Sequence, residues 1–265
     1  MREFDLNIEK VLENWTVATA LREIIANALD EQVLSNSEDI DVTFDSRGFL
    51  HIRDYGRGIK YNHLTQNENE EKLTHPHLIG KFGVGLKDAL ATFDRNGIQV
   101  AIVSKYGIIT MGKSQKHGFN DILTLHAYIK EPHDKFFVGT DFILSGCSKK
   151  DVSEAKNMFL KFSNSKVLDS TQYGEVLEKD RHIADIYING VKVATEENFL
   201  FSYNITSLTA PIKKALNRER TNVGRGAYSD RIKSILLAVT SEVAISRLVV
   251  NLKSYSSGEL FDELK

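Results

Sequence analysis

The sequence predicts an α+β protein, because helix and strand patterns alternate along it. Apolar side chains recur at helical spacing over residues 16–34, and short runs of β-branched and aromatic residues between turns follow. A glycine-rich segment then leads into a second helix with one apolar side, over residues 80–93, and more strand patterns come after it. These observations predict a mixed, largely antiparallel sheet with helices packed on it.

Composition narrows the class of protein. A chain of 265 residues can form one large domain and a smaller one, and 42% hydrophobic residues with a net charge of -2 are typical of an ordinary globular protein. That charge gives no electrostatic argument for nucleic-acid binding. Cys147 is the only cysteine, so no internal disulfide can form. No run approaches the ~20 apolar residues of a membrane span, and we expect a cytoplasmic protein, or a nuclear one in a eukaryote.

The first helix, predicted over residues 16–34, carries polar side chains on the side opposite its apolar stripe. Glu23, Asn27 and Asp30 are separated by four and three residues, and these steps nearly complete whole helical turns. The three side chains are therefore neighbours in space. Such a face is most often only solvated, so its functional interpretation depends on the segments that follow.

Two strands are predicted next, over residues 40–44 and 49–53, with a turn between them. Asp54 follows the second strand, beside Gly56 and Gly58. A carboxylate there can accept a hydrogen bond from the amino group of adenine, and the missing side chains let a base approach the backbone. Alone, this segment would also be an acceptable surface turn.

The connection over residues 60–78 is polar and lacks apolar periodicity, as in loops that are either functional or disordered. It contains His63, His75 and His77, whose spacing matches no familiar zinc pattern and which no cysteine accompanies. We therefore expect a functional loop there rather than a metal centre.

The segment after this connection predicts an anion site. Glycines free backbone N–H groups there, and the dipole of the following helix favours negative charge. Lys87 adds a positive charge one turn into that helix. The candidate phosphate-binding residues are Gly80, Gly83, Val84, Gly85 and Lys87.

Four further strands are predicted over residues 98–104, 107–111, 122–128 and 140–144. The last of them opens with Thr140, which directly follows a glycine. In most proteins this would be an ordinary β-branched residue at the start of a strand.

Four segments in fixed order, LREIIANALDE, RDYGRGI, GKFGVGLKDAL and FVGTDFILSG, resemble the sequence boxes of the GHKL, or Bergerat-fold, ATPases. That family includes gyrase B subunits, the ninety-kilodalton heat-shock proteins, MutL, MORC proteins and the ATP-binding domain of histidine kinases. The resemblance covers about residues 21–146, slightly under half of the chain. Tyr55 stands where the family usually carries Asn, which affects lid packing more than base recognition.

The resemblance implies a Bergerat-fold two-layer α/β sandwich with helices on one face of the sheet, binding ATP and Mg²⁺. By the same resemblance, Asn27 coordinates Mg²⁺, Glu23 orients and deprotonates the attacking water, and the Thr140 hydroxyl helps to bind the base. The polar connection over residues 60–78 would be the ATP lid, whose closure depends on nucleotide. The implied activity is slow ATP hydrolysis that drives lid closure and a conformational switch, nearest to the heat-shock and MORC branches. Implied partners are a protein partner or client and a second copy in a nucleotide-dependent homodimer.

We expect residues 1–148 to form the ATP-binding domain and residues 149–265 a smaller αβ, transducer-like domain. Patterns there predict a helix over residues 151–163, a hairpin turning at Asn189-Gly190, a strand over residues 199–206 and one long helix beginning near Ser229. Transducer domains in the family sense the γ-phosphate with a basic residue. Arg218 and Arg220, in a basic segment, are the candidates, although such a segment is often only a solvated loop.

Other functions stay open at this stage. The chain could hold ATP as a scaffold without hydrolysing it, which an intact Glu23 argues against. A kinase of the histidine-kinase type would transfer phosphate to protein, but no long helix with an acceptor histidine precedes the first box. An ATP-independent nucleic-acid binder finds no support in the overall charge.

Overall fold

A computed structural model describes residues 2–6, 14–64, 75, 78–80, 85–116, 118–119, 121–180, 182–216, 223–253 and 259–264. The chain divides into two compact units, Met1–Ala155 and Lys156–Lys265, called here the first and the second unit. Both combine a sheet with helices, so the fold class is α+β as predicted.

The first unit contains a seven-stranded sheet with the order β1-β6-β5-β4-β7-β3-β2, and every recorded strand pair in it is antiparallel. Its strands are β1 (Arg2–Asp5), β2 (Asp41–Phe44), β3 (Leu50–Asp54), β4 (Gln99–Ser104), β5 (Gly107–Gln115), β6 (Leu123–Lys130) and β7 (Thr140–Ser145). Its helices are α1 (Val17–Ser35), α2 (Gly85–Arg95) and α3 (Lys149–Lys156), with a short 3-10 turn at Tyr61–Leu64.

The helices α1 and α2 pack against each other and on the sheet, which confirms the two-layer arrangement. Thr16 begins α1 by accepting a hydrogen bond from the Thr19 amide, and Asn36 ends it in a left-handed conformation. Burial alternates along β3, so that Leu50, Ile52 and Asp54 are buried on one side of the strand. Asp54 therefore lies on the same side of its strand as core residues.

The second unit contains a five-stranded sheet with the order β11-β10-β12-β9-β8, in which β10 and β12 are parallel. Its strands are β8 (Val167–Thr171), β9 (Gly174–Leu177), β10 (Ala184–Ile188), β11 (Val191–Glu196) and β12 (Ser202–Ile205), and its helices are α4 (Ala210–Ala215), α5 (Arg225–Leu237), α6 (Glu242–Leu252) and α7 (Glu259–Leu264). Aliphatic and aromatic side chains share the core, where Phe199 and Phe201 each meet the ring of Tyr203 edge to face.

The strands and helices predicted for the first unit are confirmed within one or two residues, except that β5 and β6 extend further, to Gln115 and Lys130. The sequence did not predict β1, nor the hairpin of β8 and β9. The hairpin at Asn189-Gly190 is confirmed, and both residues have positive φ angles, 48° and 78°.

The single long helix predicted from Ser229 is wrong. Two helices, α5 and α6, stand there with a bend of 113° between them. Ser229 is not an N-cap but lies inside α5, where its hydroxyl donates to the Arg225 carbonyl. The bend is stabilised by Asp169, whose carboxylate accepts from the amides of Thr240 and Ser241 at 2.6 and 2.8 Å. A residue far away in sequence thus supplies the cap of a new helix.

The helix predicted over residues 151–163 ends at Lys156 instead, and a 3-10 turn follows at Leu160–Phe162. Phe159 pairs with Val191 in an isolated antiparallel bridge, and the Leu160 amide donates to the Gly190 carbonyl. These contacts with the β10–β11 hairpin replace the helical hydrogen bonds.

Among the described residues, no single helix combines the length and the apolar character needed to cross a membrane. The helices α5 and α6 meet that test only when taken together, across their bend.

Candidate functional site

Asp54 lies at the end of β3, directly opposite Thr140 at the start of β7. Its Oδ1 atom accepts hydrogen bonds from the amides of Gly56, at 2.9 Å, and Thr140, at 3.3 Å. Both side chains are buried. The sheet register thus joins two of the predicted site segments, which are 86 residues apart.

Two glycines are required where these segments meet. Gly139 has a φ angle of 80°, and a Cβ atom there would lie 1.8 Å from the Asp54 carbonyl oxygen. Gly58 has a φ angle of 84° and would place a Cβ 3.1 Å from the Gly139 carbonyl oxygen. The loop after Asp54 and the residue before Thr140 are therefore in direct backbone contact.

Ile59 is held from both sides by hydroxyl groups. Its amide donates to Thr140 Oγ1 at 3.0 Å, and its carbonyl accepts from Ser104 Oγ at 2.7 Å. Ser104 is buried at the end of β4 and also accepts from the Tyr106 amide. Three strand ends, those of β3, β4 and β7, therefore position the loop that carries Gly56 and Gly58.

The same loop is tied to α1 by an ion pair. Arg57 donates through Nε and Nη2 to the two carboxylate oxygens of Glu31, each at 2.9 Å, and its amide donates to Glu31 as well. Gly56 is required beneath this pair, because a Cβ atom there would lie 2.4 Å from Glu31 Cγ. Tyr55 points its hydroxyl to Asp41 on β2 and stacks on Arg53, so its described contacts are with strand residues.

Burial raises the pKa of Asp54 to about 6, and the negative charge of Glu31 adds to that effect. Hydrogen bonds from Gly56 and Thr140 oppose it. At neutral pH the group is mostly ionised, in a buried position from which it can accept a hydrogen bond.

Glu23 lies against the start of α2. A Cβ atom built on Gly85, the first residue of that helix, would be 2.3 Å from Glu23 Oε2. The other carboxylate oxygen of Glu23, Oε1, accepts a hydrogen bond from Arg22 Nη2 at 2.8 Å. The Arg22 side chain is almost fully buried. The structure thus joins the predicted catalytic carboxylate to the predicted phosphate-binding helix, and it adds a cation beside the carboxylate.

Asp30 connects α1 to the segment before α2. It is 1% exposed, and its two oxygens accept from the amides of Ile79 and Gly80 at 2.6 and 2.7 Å. The Gly80 amide therefore points at a carboxylate. Asp30 orders the chain that leads into the glycine-rich segment.

Asn27 is half-buried on α1, one turn after Glu23, and Lys87 is half-buried in the first turn of α2. Among the described residues, no group of three or more His, Cys, Asp or Glu side chains could hold a metal ion. A Mg²⁺ ion would be compatible with this donor set, since it is usually held by one or two protein oxygens together with phosphates and water.

Several predicted site residues lie outside the described residues: Gly83 and Val84 in the glycine-rich segment, most of the predicted lid with His77, and the sensor candidates Arg218 and Arg220. The structure brings Asp54, Gly56, Gly58 and Thr140 into one cluster. It places Glu23 beside Gly85.

Sequence reasoning missed the roles of Glu31, Ser104 and Gly139. The only available signal for Gly139 was its position before Thr140. Ser104 carried none, because a single serine at a strand end has no distinctive spacing.

Comparison with known proteins identifies a matching family and two similar proteins. The family described as "Mycoplasma pneumoniae MPN635 N-terminal domain" matches residues 150–242. An uncharacterized protein of Mycoplasma pneumoniae is 41% identical over 241 residues, which cover 89% of this chain and 97% of that protein. A second uncharacterized protein of the same organism is 32% identical over 126 residues, which are 46% of this chain and 36% of that protein.

The similarity to a protein of named function is shorter. The B subunit of DNA topoisomerase 4 from Bartonella bacilliformis is 36% identical over 95 residues, which are 30% of this chain and 14% of that protein. This partial similarity supports the resemblance to a protein class that contains a GHKL domain.

Fold and site together define a two-unit α+β protein in which a buried carboxylate and a glycine-containing loop lie at one end of a large antiparallel sheet, and a second carboxylate lies against the start of a helix. The chain belongs to the same family as the first Mycoplasma pneumoniae protein, with which it shares 41% identity over nearly all of that protein.

Proposed function

We propose that this chain binds ATP with Mg²⁺ and hydrolyses it slowly, and that the bound nucleotide closes a lid and switches the protein's conformation. The partial similarity to a topoisomerase B subunit supports an ATP-binding module. The proposal joins this similarity to the geometry of the first unit.

The observation that carries the proposal is the cluster of Asp54, Gly56 and Thr140 at the ends of β3 and β7. A buried, mostly ionised carboxylate can accept the amino group of adenine, and the glycine next to it leaves space for the base to reach the backbone. Elsewhere in the first unit, Glu23 lies against the start of α2, and backbone N–H groups at the start of a helix can bind phosphate oxygens.

Hydrolysis would use Glu23 as the general base. The carboxylate takes a proton from water while the water oxygen forms a bond to the γ-phosphorus, and ADP leaves as the bridging P–O bond breaks. Bound Mg²⁺ would neutralise phosphate charge, with the amide oxygen of Asn27 as its protein ligand. Arg218 and Arg220 are our candidates for sensing the γ-phosphate.

One observation favours a second candidate, an ATP-holding scaffold that does not turn over. Arg22 binds the carboxylate of Glu23 through both Nε and Nη2. A carboxylate held by a buried guanidinium through two hydrogen bonds is less free to turn and orient water.

The experiment measures Mg²⁺-dependent phosphate release and ATP affinity for the purified chain, for Glu23→Gln and for Glu38→Gln. The Glu23 variant keeps the size of the side chain but removes the base. We expect it to lose about 100-fold or more in turnover, with ATP affinity changed little. Glu38 is an exposed carboxylate beyond the end of α1, and its variant should behave as the parent does.

Other results of this experiment would favour another function or refute ATP binding. ATP binding by the parent without phosphate release would support the scaffold. Transfer of γ-phosphate label to the protein would replace hydrolysis with kinase activity. Absence of ATP binding by the parent would refute both ATP-based functions.

A further inference from the structure

The helix α6 of the second unit exposes an apolar face that no part of the described chain covers. Five of its eleven residues are valine, isoleucine or leucine side chains between 40% and 65% exposed: Val243, Ile245, Val249, Val250 and Leu252. Single exposed apolar residues are ordinary, but a contiguous group on one short helix marks an interaction surface.

The helix α6 is firmly held on the second unit, so the exposure of its apolar face is not due to loose packing. Asp169 accepts from the backbone at the start of α6, and Ala244 is fully buried on its inner side. Leu248 packs against the core, and Arg247 pairs with Glu178 at 2.6 Å. The inner side is therefore fixed by capping, packing and charge, so the outer face is presented in a defined orientation.

The outer face carries opposite charges at its two ends. Glu242 begins α6, and Lys253 follows it with helical backbone angles. A separation of eleven residues completes about three turns, so both side chains lie on the same outer face. Both are exposed, and neither forms an ion pair with another described residue.

The charges at the two ends of α6 favour antiparallel over parallel pairing of two copies of the helix. If two copies of α6 pair antiparallel, Glu242 of each copy meets Lys253 of the other, and the apolar side chains meet between them. Parallel pairing would instead place like charges together. An interface in which the same patch binds itself about a two-fold axis is the most common basis of homodimers.

We propose that α6 is a homodimer interface, in which two copies of this chain pair antiparallel through Ile245, Val249 and Leu252. This interface is independent of the nucleotide site proposed above. A single helix pair is smaller than a standard interface of roughly 1,600 Å², so the dimer is weak and depends on concentration.

The test is sedimentation equilibrium of the full chain without nucleotide, from about 1 µM to 1 mM, the range in which a small interface should dissociate. We expect a monomer–dimer equilibrium. Val249→Glu should raise the dimer dissociation constant at least about tenfold, because it places a charge at the centre of the interface. The matched control is Ile183→Glu, which changes an equally exposed residue of the second unit outside α6 and should have no effect.

A charge exchange tests the antiparallel direction without altering the apolar face. Glu242→Lys and Lys253→Glu should each weaken the dimer a few-fold, about threefold, and the double variant should restore it. Failure of the double variant to restore dimerisation would overturn the proposed pairing.

Three further results would overturn the proposal. One is a monomer at every concentration. Another is a dimer that Val249→Glu leaves unchanged, which would place the interface elsewhere. The third is a monomeric chain that sediments with vesicles of phosphatidylcholine and phosphatidylserine and loses this binding on Val249→Glu, because the face would then bind lipid.

Discussion

The two units use buried polar side chains for different purposes. In the first unit, Asp30, Asp54 and Thr140 accept hydrogen bonds from the backbone of loops. In the second unit, Glu263 on α7 accepts from the Phe201 amide and the Tyr203 hydroxyl and so connects a helix to the core strand. Asp30, Asp54 and Thr140 thus fix loop geometry in the first unit, whereas Glu263 joins two elements of the second. A ligand site is expected where loops, rather than core elements, are held so closely.

The largest effect that would test this comparison comes from Gly139→Ala. A methyl group there would overlap the Asp54 carbonyl oxygen and also needs an unfavourable φ angle, so we expect a loss of roughly 2–5 kcal/mol in the free energy of unfolding. Urea unfolding followed by the fluorescence of Trp15 measures it, since Trp15 is the only tryptophan and is buried in the first unit.

Gly48→Ala is the matched control for that variant. Gly48 has a φ angle of 84°, close to that of Gly139, but a Cβ atom there would have no other atom within 4 Å. It should lose only about 1–2 kcal/mol. Equal losses in the two variants would show that the contact between Gly139 and Asp54 contributes nothing of its own.

The next largest effect is a difference between the two units in how their stability depends on pH. The pKa of Asp54 is raised from 3.8 to about 6 by burial, and that of Glu263 from 4.5 to about 7 for the same reason. Each folded pKa exceeds the unfolded one, so each group stabilises its unit most at low pH, and this contribution is lost as pH rises from 3.8 to about 6 for Asp54 and from 4.5 to about 7 for Glu263. The loss should be roughly 1–3 kcal/mol in each unit.

Function should distinguish the two carboxyl groups. Asp54→Asn should flatten the pH dependence of stability in the first unit and lower ATP affinity about tenfold or more, because the carboxylate acceptor is gone. Glu263→Gln should flatten the pH dependence in the second unit and leave ATP affinity unchanged. Hydrogen exchange of each unit from about pH 4 to 8 measures stability, and ATP titrations over the same range measure affinity. An effect of Glu263→Gln on affinity would contradict the comparison.

The smallest effect concerns Ser104, which positions Ile59. Ser104→Ala removes the hydrogen bond to the Ile59 carbonyl, worth about 1 kcal/mol, together with the longer one from the Tyr106 amide, so ATP affinity should fall about fivefold with little change in turnover at saturation. Thr124→Val is its control, because Thr124 is buried on β6 and its hydroxyl has no hydrogen-bond partner among the described residues. If both variants bind ATP as the parent does, Ser104 does not position the loop.

Local patterns were sufficient for most of the first unit. Helical spacing predicted α1, and turn residues separated β2 from β3, because both signals come from neighbours in sequence. The same reasoning failed at α5 and α6, where the apolar spacing continues through residues 237–241 although the chain bends. The carboxylate that stabilises the bend belongs to Asp169, which lies 71 residues before Thr240 in the sequence.

The candidate site shows the same division. Asp54 and Glu23 could be selected from the sequence, since their neighbours form recognisable segments. Ser104 and Glu31 could not be assigned a role, because each acts through a loop residue to which no spacing in the sequence connects it.

The sequence by itself determined the order of the segments, the α+β class and the choice of candidate site residues, because these depend on local periodicity and residue chemistry. Only the tertiary structure decided which of those side chains meet. The register of β3 against β7 brings Asp54 to Thr140, and the packing of α1 brings Asp30 to Gly80 and Glu23 to Gly85. Such pairings arise from the burial of whole elements, and no local pattern records them.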